Sequence, residues 1–301
     1  MNQSTIKSFI TIVEEKSISK AAQKLHVSQS ALSQQLKQLE EELDTLLLLR
    51  SNQGVSLTKS GELFFNYAQI FEDLYKKMQT EMELLEHQSI SIIRVTSSTS
   101  ICEYLVPCAL TVYQRKNPSV RFNNTCNYTE DVLEDIRNFR ADIGFISQEQ
   151  ENDRDLIVHK LMDNRLAIIS SPKNKAIGQV RSLSELARMN LLLCPSRSGL
   201  RGVIDKAFSD NGVSPESLNI VMEMGSLEAL KASVANDDGV SIVPYVTIKK
   251  ELYLKMLKQH IIKDVEISCP VSIVYHRSSL QKPELYTFID FMLHQGKESF
   301  C

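Results

Sequence analysis

Ile6, Phe9, Ile10 and Val13 recur at three- and four-residue steps and predict a first helix from about Ser4 to Lys16 with that face inward. Residues 17–39 then read as two short helices joined by a tight turn. Ser19 is expected to cap the first of these, and Ala21 and Ala22 are small enough to let a second helix approach closely. Leu25 and Val27 flank the turn as its apolar plug. Ser28 is expected to cap the second helix, its hydroxyl satisfying an otherwise orphan backbone N–H. Leu32, Leu36, Leu39 and Leu43 make one buried stripe on that helix, which leaves Gln29, Ser30, Ser33 and Gln34, with Lys37 one turn on, facing out beside Ser28. Two helices across a tight turn form the shape that carries a helix into the major groove of DNA. Short amides and hydroxyls at the exposed start of such a helix suit base edges, because Gln pairs bidentately with adenine and Ser with several acceptors.

Residues 50–57 have the pattern of a short hairpin with a Gly-containing turn, the wing of a winged helix-turn-helix. Arg50 beside it is placed to contact a phosphate, and Gln53 at its tip to enter the minor groove. Thr58 is expected to cap a long helix continuing to about Gln88. Phe64, Tyr67, Phe71, Leu74, Met78 and Leu85, with Met82, follow a heptad-like stripe that favours a helix–helix seam between two chains. A helix of this length, about 45 Å, is too long for a sixty-residue domain to cover.

At Ser91 the pattern changes. Short strands at 92–95, 120–124 and 141–146 alternate with helices at 101–116 and 133–139. A second group follows, with strands at 165–170, 191–194, 220–224 and 240–243 and helices from Leu183, over 199–211 and over 227–236. A strand at 267–275 and a last helix at 283–294 return to the first half. Such alternation implies βαβ units and a largely parallel sheet, so the chain is α/β overall. The expected domains are 1–60, 61–90 as a linker helix, and 91–301.

Composition changes this picture little. The 301 residues, 43% hydrophobic and 24% charged, fit roughly two ordinary soluble domains. The chain has no apolar run long enough to span a membrane and no secretion-like amino terminus, so a cytoplasmic protein is expected. Residues 1–60 carry seven basic and six acidic side chains, a weak balance for DNA binding, so one copy is expected to bind poorly and several held together to gain by effective concentration. The six cysteines (102, 108, 126, 194, 269 and 301) form no Cys-x-x-Cys pair and no zinc-like spacing with histidine, so no metal or cofactor is expected. They are expected to be reduced and partly buried, and Cys194 has no sequence neighbour that would make it a thiol sensor. A Gly-x-Ser-x-Gly elbow, a phosphate loop and a His-Glu-x-x-His motif are all missing, which argues against an enzyme. A solute-binding component of a transporter would explain 91–295 but would leave the first ninety residues without a role.

Phe9–Val13, residues 17–22, 25–33 and 39–43, Arg50, and Leu57-Thr58-Lys59-Ser60-Gly61 together resemble the amino-terminal domain of LysR-type transcriptional regulators. Asp44 stands where that family usually has a helix-ending Gly, and Leu48 where it usually has Phe. Asp tolerates the left-handed conformation better than most residues, so the turn should be kept. Asn117-Pro118-Ser119-Val120, Arg140-Ala141-Asp142-Ile143-Gly144 and Gly239–Pro244 resemble the family's effector domain, similar to type 2 periplasmic solute-binding proteins. The resemblance implies two α/β lobes joined by two crossover strands with a cleft between them. It also implies double-stranded promoter DNA, a small-molecule effector and RNA polymerase as partners, and a dimer or a dimer-of-dimers tetramer.

Ligands of open α/β sheets bind beyond the carboxyl ends of strands, near helix N-termini. Three such places are Ser97, Ser98, Thr99 and Ser100 after the first strand, Ser196, Arg197 and Ser198 after Cys194, and Ser226 after Met224. The resemblance puts Ser98 and Ser100 among positions that touch effector. Arg197 or Arg201 is expected to pair with a carboxylate, and Ser147 to close the cleft from the first lobe.

Overall fold

A computed structural model describes residues 2–51, 54–86, 90–149, 153–263, 265–296 and 300. The chain divides into two compact units, 1–88 and 89–301.

The first unit contains α1 (Gln3–Glu15), α2 (Ile18–Lys24), α3 (Gln29–Glu42), the antiparallel hairpin β1 (Leu48–Ser51) and β2 (Gly54–Leu57), and α4 (Lys59–Glu86). Each start is set by a polar side chain accepting from a free backbone N–H: Asn2 from Thr5, Ser17 from Lys20, Ser28 from Ala31 and Thr58 from Gly61. The cap of α2 is therefore Ser17 and not Ser19, which lies within the helix. Ile6, Phe9 and Ile12 of α1 pack with Ala21, Ala22, Leu32, Leu36 and Leu39, and Phe9 meets Phe64 edge to face with centroids 5.0 Å apart. Leu25 is half-buried, but Val27 is 43% exposed, and Leu43 is 40% exposed because it has become the C-cap of α3. Asp44 takes φ +48°, the left-handed turn expected of it, and Leu48 is buried. Glu40 secures that turn, its Oε1 accepting from the backbone N–H of Leu47 (2.8 Å) and Leu48 (3.1 Å). Gly54 adopts φ +121°, and a Cβ there would stand 2.6 Å from the Lys16 carbonyl, so the hairpin lies on the α1–α2 turn only because the residue has no side chain.

In the second unit the first lobe opens with β3 (Ser91–Ser98), α5 (Thr99–Tyr104), α6 (Val106–Lys116), β4 (Val120–Asn127), α7 (Thr129–Arg137) and β5 (Ile143–Ile146). Strand β6 (Leu156–Ser170) leads into α8 (Leu183–Leu186), β7 (Leu191–Leu193), α9 (Gly199–Asp210), β8 (Ile220–Glu223), α10 (Leu227–Ala235), β9 (Val240–Pro244), α11 (Lys249–Tyr253) and β10 (Lys258–His260). Strand β11 (Ser268–His276) and α12 (Pro283–His294) return to the first lobe. Strands β4-β3-β5 are parallel in one lobe and β8-β7-β9 in the other.

The expected parallel sheet is thus only partly present, because β6 and β11 run antiparallel through both lobes, pairing from Arg165 with Ser268 to Leu156 with His276. Antiparallel pairing also joins β5 to β11, β6 to β9 and β10 to β6. The strand expected at 165–170 is the far half of β6, whose nearer half belongs to the other lobe's sheet. The single helix expected at 101–116 is broken at Leu105, two residues before Pro107, whose ring cannot follow a helical turn without clashing with the carbonyl of Glu103. Each lobe has its own core, one around Leu193, Ile204, Phe208 and Val243, the other around Val95, Leu105, Ile273 and Phe288.

Candidate functional site

Two surfaces carry chemistry. On the first, burial of Leu32, Leu36 and Leu39 turns the opposite flank of α3 outward. Ser28, Gln29, Ser30 and Gln34 are exposed there and Ser33 is half-buried. Ser28 Oγ lies 3.1 Å from Ser30 Oγ. Ser19 Oγ donates to Gln29 Oε1 at 2.9 Å, so α2 orients the amide at the start of α3. That contact was not foreseen from sequence. A hydroxyl and an amide ten residues apart meet only because the turn at His26, with φ +57°, brings the helices together. From behind, Gln35 Oε1 accepts from Ser8 Oγ at 3.1 Å. Lys37 is exposed and pairs with Glu41 at 3.4 Å, a surface pair of little energetic weight. Arg50 lies in β1 opposite Val55, and Gln53 falls outside the described residues.

The second surface is the seam between the lobes of the second unit. Ser98, Thr99, Ser100 and Ser147 of one lobe face Ser198 and Gly199 of the other around a cavity of about 20 Å³. That space holds about one water molecule. Two pairs of the groups lining it are already bonded within the first lobe: Ser98 Oγ and Thr129 Oγ1 are 3.0 Å apart, and Thr99 Oγ1 donates to the Asn127 carbonyl at 3.4 Å. A Cβ on Gly199 would stand 2.4 Å from Thr129 Oγ1 and 3.3 Å from Ser147 Cβ, so the lobes meet here at a distance only glycine permits. At the rim the Arg197 guanidinium lies 4.0 Å from the centroid of the Tyr128 ring, a cation–π contact across the seam.

Not every residue expected at the cleft reaches it. Ser97 alternates to the other face of β3, is fully buried and donates to Asn124 Oδ1 at 3.3 Å. Arg201 is 7% exposed and occupied by Asp205 (2.8 Å), Glu223 (2.7 Å) and the Cys194 carbonyl (3.2 Å), so it braces the second lobe and is not available to a ligand. Ser196 and Ser226 are exposed outside the cavity, and Ser226 caps α10 by accepting from the N–H of Ala229. Conversely, Asn127, Tyr128 and Thr129 line the cavity and were missed. They follow β4 and precede α7, so the strand-end rule that picked Ser98 would have found them.

Elsewhere between the lobes, Lys231 is 4% exposed, and its ammonium donates to Tyr104 Oη (2.9 Å), the Thr247 carbonyl (2.8 Å) and Glu251 Oε1 (2.7 Å), and pairs with the exposed Glu228 (2.8 Å). Tyr104 also hydrogen-bonds Glu228, which links α5 of one lobe to α10 of the other. Burial, then the Glu228 carboxylate, pushes the Tyr104 hydroxyl up to about 12.

The cysteines depart from expectation. Cys102 and Cys126 form a disulfide and Cys108 is disulfide-bonded as well, whereas Cys194 and Cys269 are free, buried thiols pushed up to about 11 chiefly by burial. The spacing of twenty-four residues gives no hint of the first pair; the parallel alignment of β3 and β4 brings it together.

Residues 4–62 match the model of the bacterial regulatory helix-turn-helix protein, lysR family, and residues 87–297 match that of the LysR substrate binding domain. The chain belongs to the LysR family of transcriptional regulators. It is a DNA-binding transcriptional regulator with an effector-binding domain. The HTH-type transcriptional regulator CysL of Bacillus subtilis (strain 168) is 30% identical over 253 residues, covering 84% of this chain and 83% of the relative. The probable RuBisCO transcriptional regulator of Phaeodactylum tricornutum (strain CCAP 1055/1) is 29% identical over 272 residues, covering 89% and 88%. Full-length CbnR, solved in complex with its target DNA, shares the fold with a TM-score of 0.74 at 19% identity, covering 98% of this chain and all of that one. Among the described residues no helix is long and apolar enough to cross a membrane.

Proposed function

We propose that this LysR-family regulator reads promoter DNA through the outward flank of α3, with Ser28, Gln29, Ser30, Ser33, Gln34 and Lys37 in the major groove. Arg50 contacts a phosphate and Gln53 the minor groove beside it. The observation that carries the reading is the Ser19–Gln29 hydrogen bond at the exposed start of α3. It holds the amide in place and leaves its nitrogen to donate to a base acceptor. Bidentate pairing with adenine also needs the amide oxygen, so there Ser19 would have to release it.

The reading places residues 1–60 on DNA, uses 61–90 to pair chains, and gives 91–301 the effector. Tyr67, Phe71, Leu74, Met78 and Met82 of α4 are between 42% and 65% exposed, an apolar stripe that a second copy would cover to form a dimer or a dimer-of-dimers tetramer. The effector contacts Ser98, Thr99, Ser100, Ser147 and Ser198. Because the cavity takes about one water, a metabolite enters only as the lobes part, and its differential affinity for the opened state shifts the population. The protein works in the cytoplasm, contacts RNA polymerase at the promoter, and is not an enzyme. Gln29→Ala combined with Ser33→Ala is expected to lower discrimination between operator and mismatched DNA by about 1–3 kcal/mol, measured by quantitative footprinting. Unchanged selectivity in a folded double variant would refute the assignment.

A further inference from the structure

The Cys102–Cys126 disulfide joins two of the segments that build the first-lobe wall of the cleft. Cys102 lies in α5, three residues beyond Thr99, and Cys126 immediately precedes Asn127, Tyr128 and Thr129. Its two sulfurs are not equivalent. Cys102 is 3% exposed, whereas Cys126 is exposed. Asn124 Nδ2 donates to Cys102 Sγ at 3.3 Å, and Ser97 Oγ holds that amide by donating to its Oδ1. A positioned donor stabilises negative charge on the Cys102 sulfur, while the exposed residue, Cys126, is the side from which an external thiolate approaches. Cys126 is also the strand partner of Ser97, five residues before Cys102, so the parallel ladder keeps the cysteines near each other with the bond open.

We propose that Cys102 and Cys126 form a reversible thiol–disulfide exchange site, worked by a low-molecular-weight thiol and its disulfide such as the glutathione couple, that sets the shape of the cleft wall. The proposal rests on the regulatory role above, since a promoter-binding protein works in a reducing compartment, where a disulfide is usually transient and redox-sensing. An external thiolate attacks Cys126 Sγ and forms a mixed disulfide. The Cys102–Cys126 bond breaks, its electron pair leaves on Cys102 Sγ beside the Asn124 amide, and this thiolate then takes a proton. A second thiolate resolves the mixed disulfide, giving two protein thiols and one small-molecule disulfide. Oxidation runs the same steps in reverse. The free thiols Cys194 and Cys269, both buried, take no part. Opening the bond frees α5 from the end of β4, and so loosens Ser98 from Thr129 and Tyr128 from Arg197.

The test uses the native full-length protein, which needs no variant to fold. Excess reduced glutathione without denaturant is expected to make Cys102 and Cys126 alkylable, as mapped by mass spectrometry, and oxidised glutathione to restore the bond. Amide exchange at 98–100 and 127–129 rises on opening and falls on closure. Asn124→Ala slows the opening about tenfold, the loss of one hydrogen bond to a developing thiolate, and Cys108→Ser leaves it unchanged. A bond that opens only in denaturant, or opens without changing exchange in those two segments, overturns the proposal; so does a normal opening rate in Asn124→Ala. Promoter footprinting of both redox forms separates the two readings: a protein that binds no promoter in either form refutes the regulator, and the alkylation result still judges the exchange site.

Discussion

The two units handle their polar groups in opposite ways. In residues 1–88 the hydroxyls and amides proposed to read DNA lie on an outward face, and the ion pairs near them, Lys24 with the half-buried Glu15 and Lys37 with Glu41, lie at the surface. In residues 89–301 the hydroxyls face one another across a closed seam, and Arg201 and Lys231 are buried among carboxylates and carbonyls. An outward face would need less rearrangement to read a partner, with only local bonds such as that from Ser19 to Gln29 to give up. An inward face is partly satisfied already, so a ligand bound as proposed would displace existing bonds and move the lobes. That competition makes a switch possible.

The largest effect separating the units is expected at Lys231. Lys231→Met leaves Glu251 without its buried ammonium and removes a donor from the Tyr104 link, so the second unit should lose about 3–5 kcal/mol in urea unfolding while the first unfolds as before. In the first unit, Leu36→Ala removes a side chain that is 3% exposed and should cost about 3 kcal/mol, whereas Leu43→Ala at the C-cap of the same helix, 40% exposed, should cost under about 0.5 kcal/mol. Equal costs would mean that the leucine stripe reaches further than the structure shows. Gly199→Ala forces a methyl against Thr129 and should destabilise the closed seam by about 1–3 kcal/mol, read as faster amide exchange at 127–129 with the first unit untouched.

The smallest effect concerns pH. Burial depresses His260, which lies 2.8 Å from Ser170 Oγ in the second unit, below its usual 6.5. The unfolded chain binds the proton more readily, so the stability this residue contributes is present above about pH 6.5 and is lost as pH falls through its lower folded value. His260→Gln should flatten that acid-side loss in thermal unfolding, and a slope identical to that of the parent would show that the depression carries no energy.

Legibility from sequence follows the range of the interactions. Ser28 as a cap and the Leu32–Leu36–Leu39 stripe depend on residues within a turn or two, so local spacing revealed them, while the family resemblance supplied the left-handed turn at Asp44. Ser19 was misassigned because Ser17 competes for the same role two residues earlier. In the cleft, Ser98, Thr99, Ser100, Ser147 and Ser198 emerged from the rule for strand ends, but that rule could not tell that Ser97 turns to the other face or that Arg201 is bound by Glu223. The near half of β6 was missed because its partner, β11, lies more than a hundred residues away.

The sequence by itself determined the capped starts of α3 and α4, the apolar faces of α1, α3 and α4, and the alternation that requires an α/β second unit, because each is a property of neighbours along one element. Only the tertiary structure decided the antiparallel register of β6 on β11, the Cys102–Cys126 bond, the buried partners of Lys231 and the closure of the cleft at Gly199. These depend on groups distant in the chain arriving within a few ångströms. Spacing along a strand or helix carries no record of which element will lie opposite.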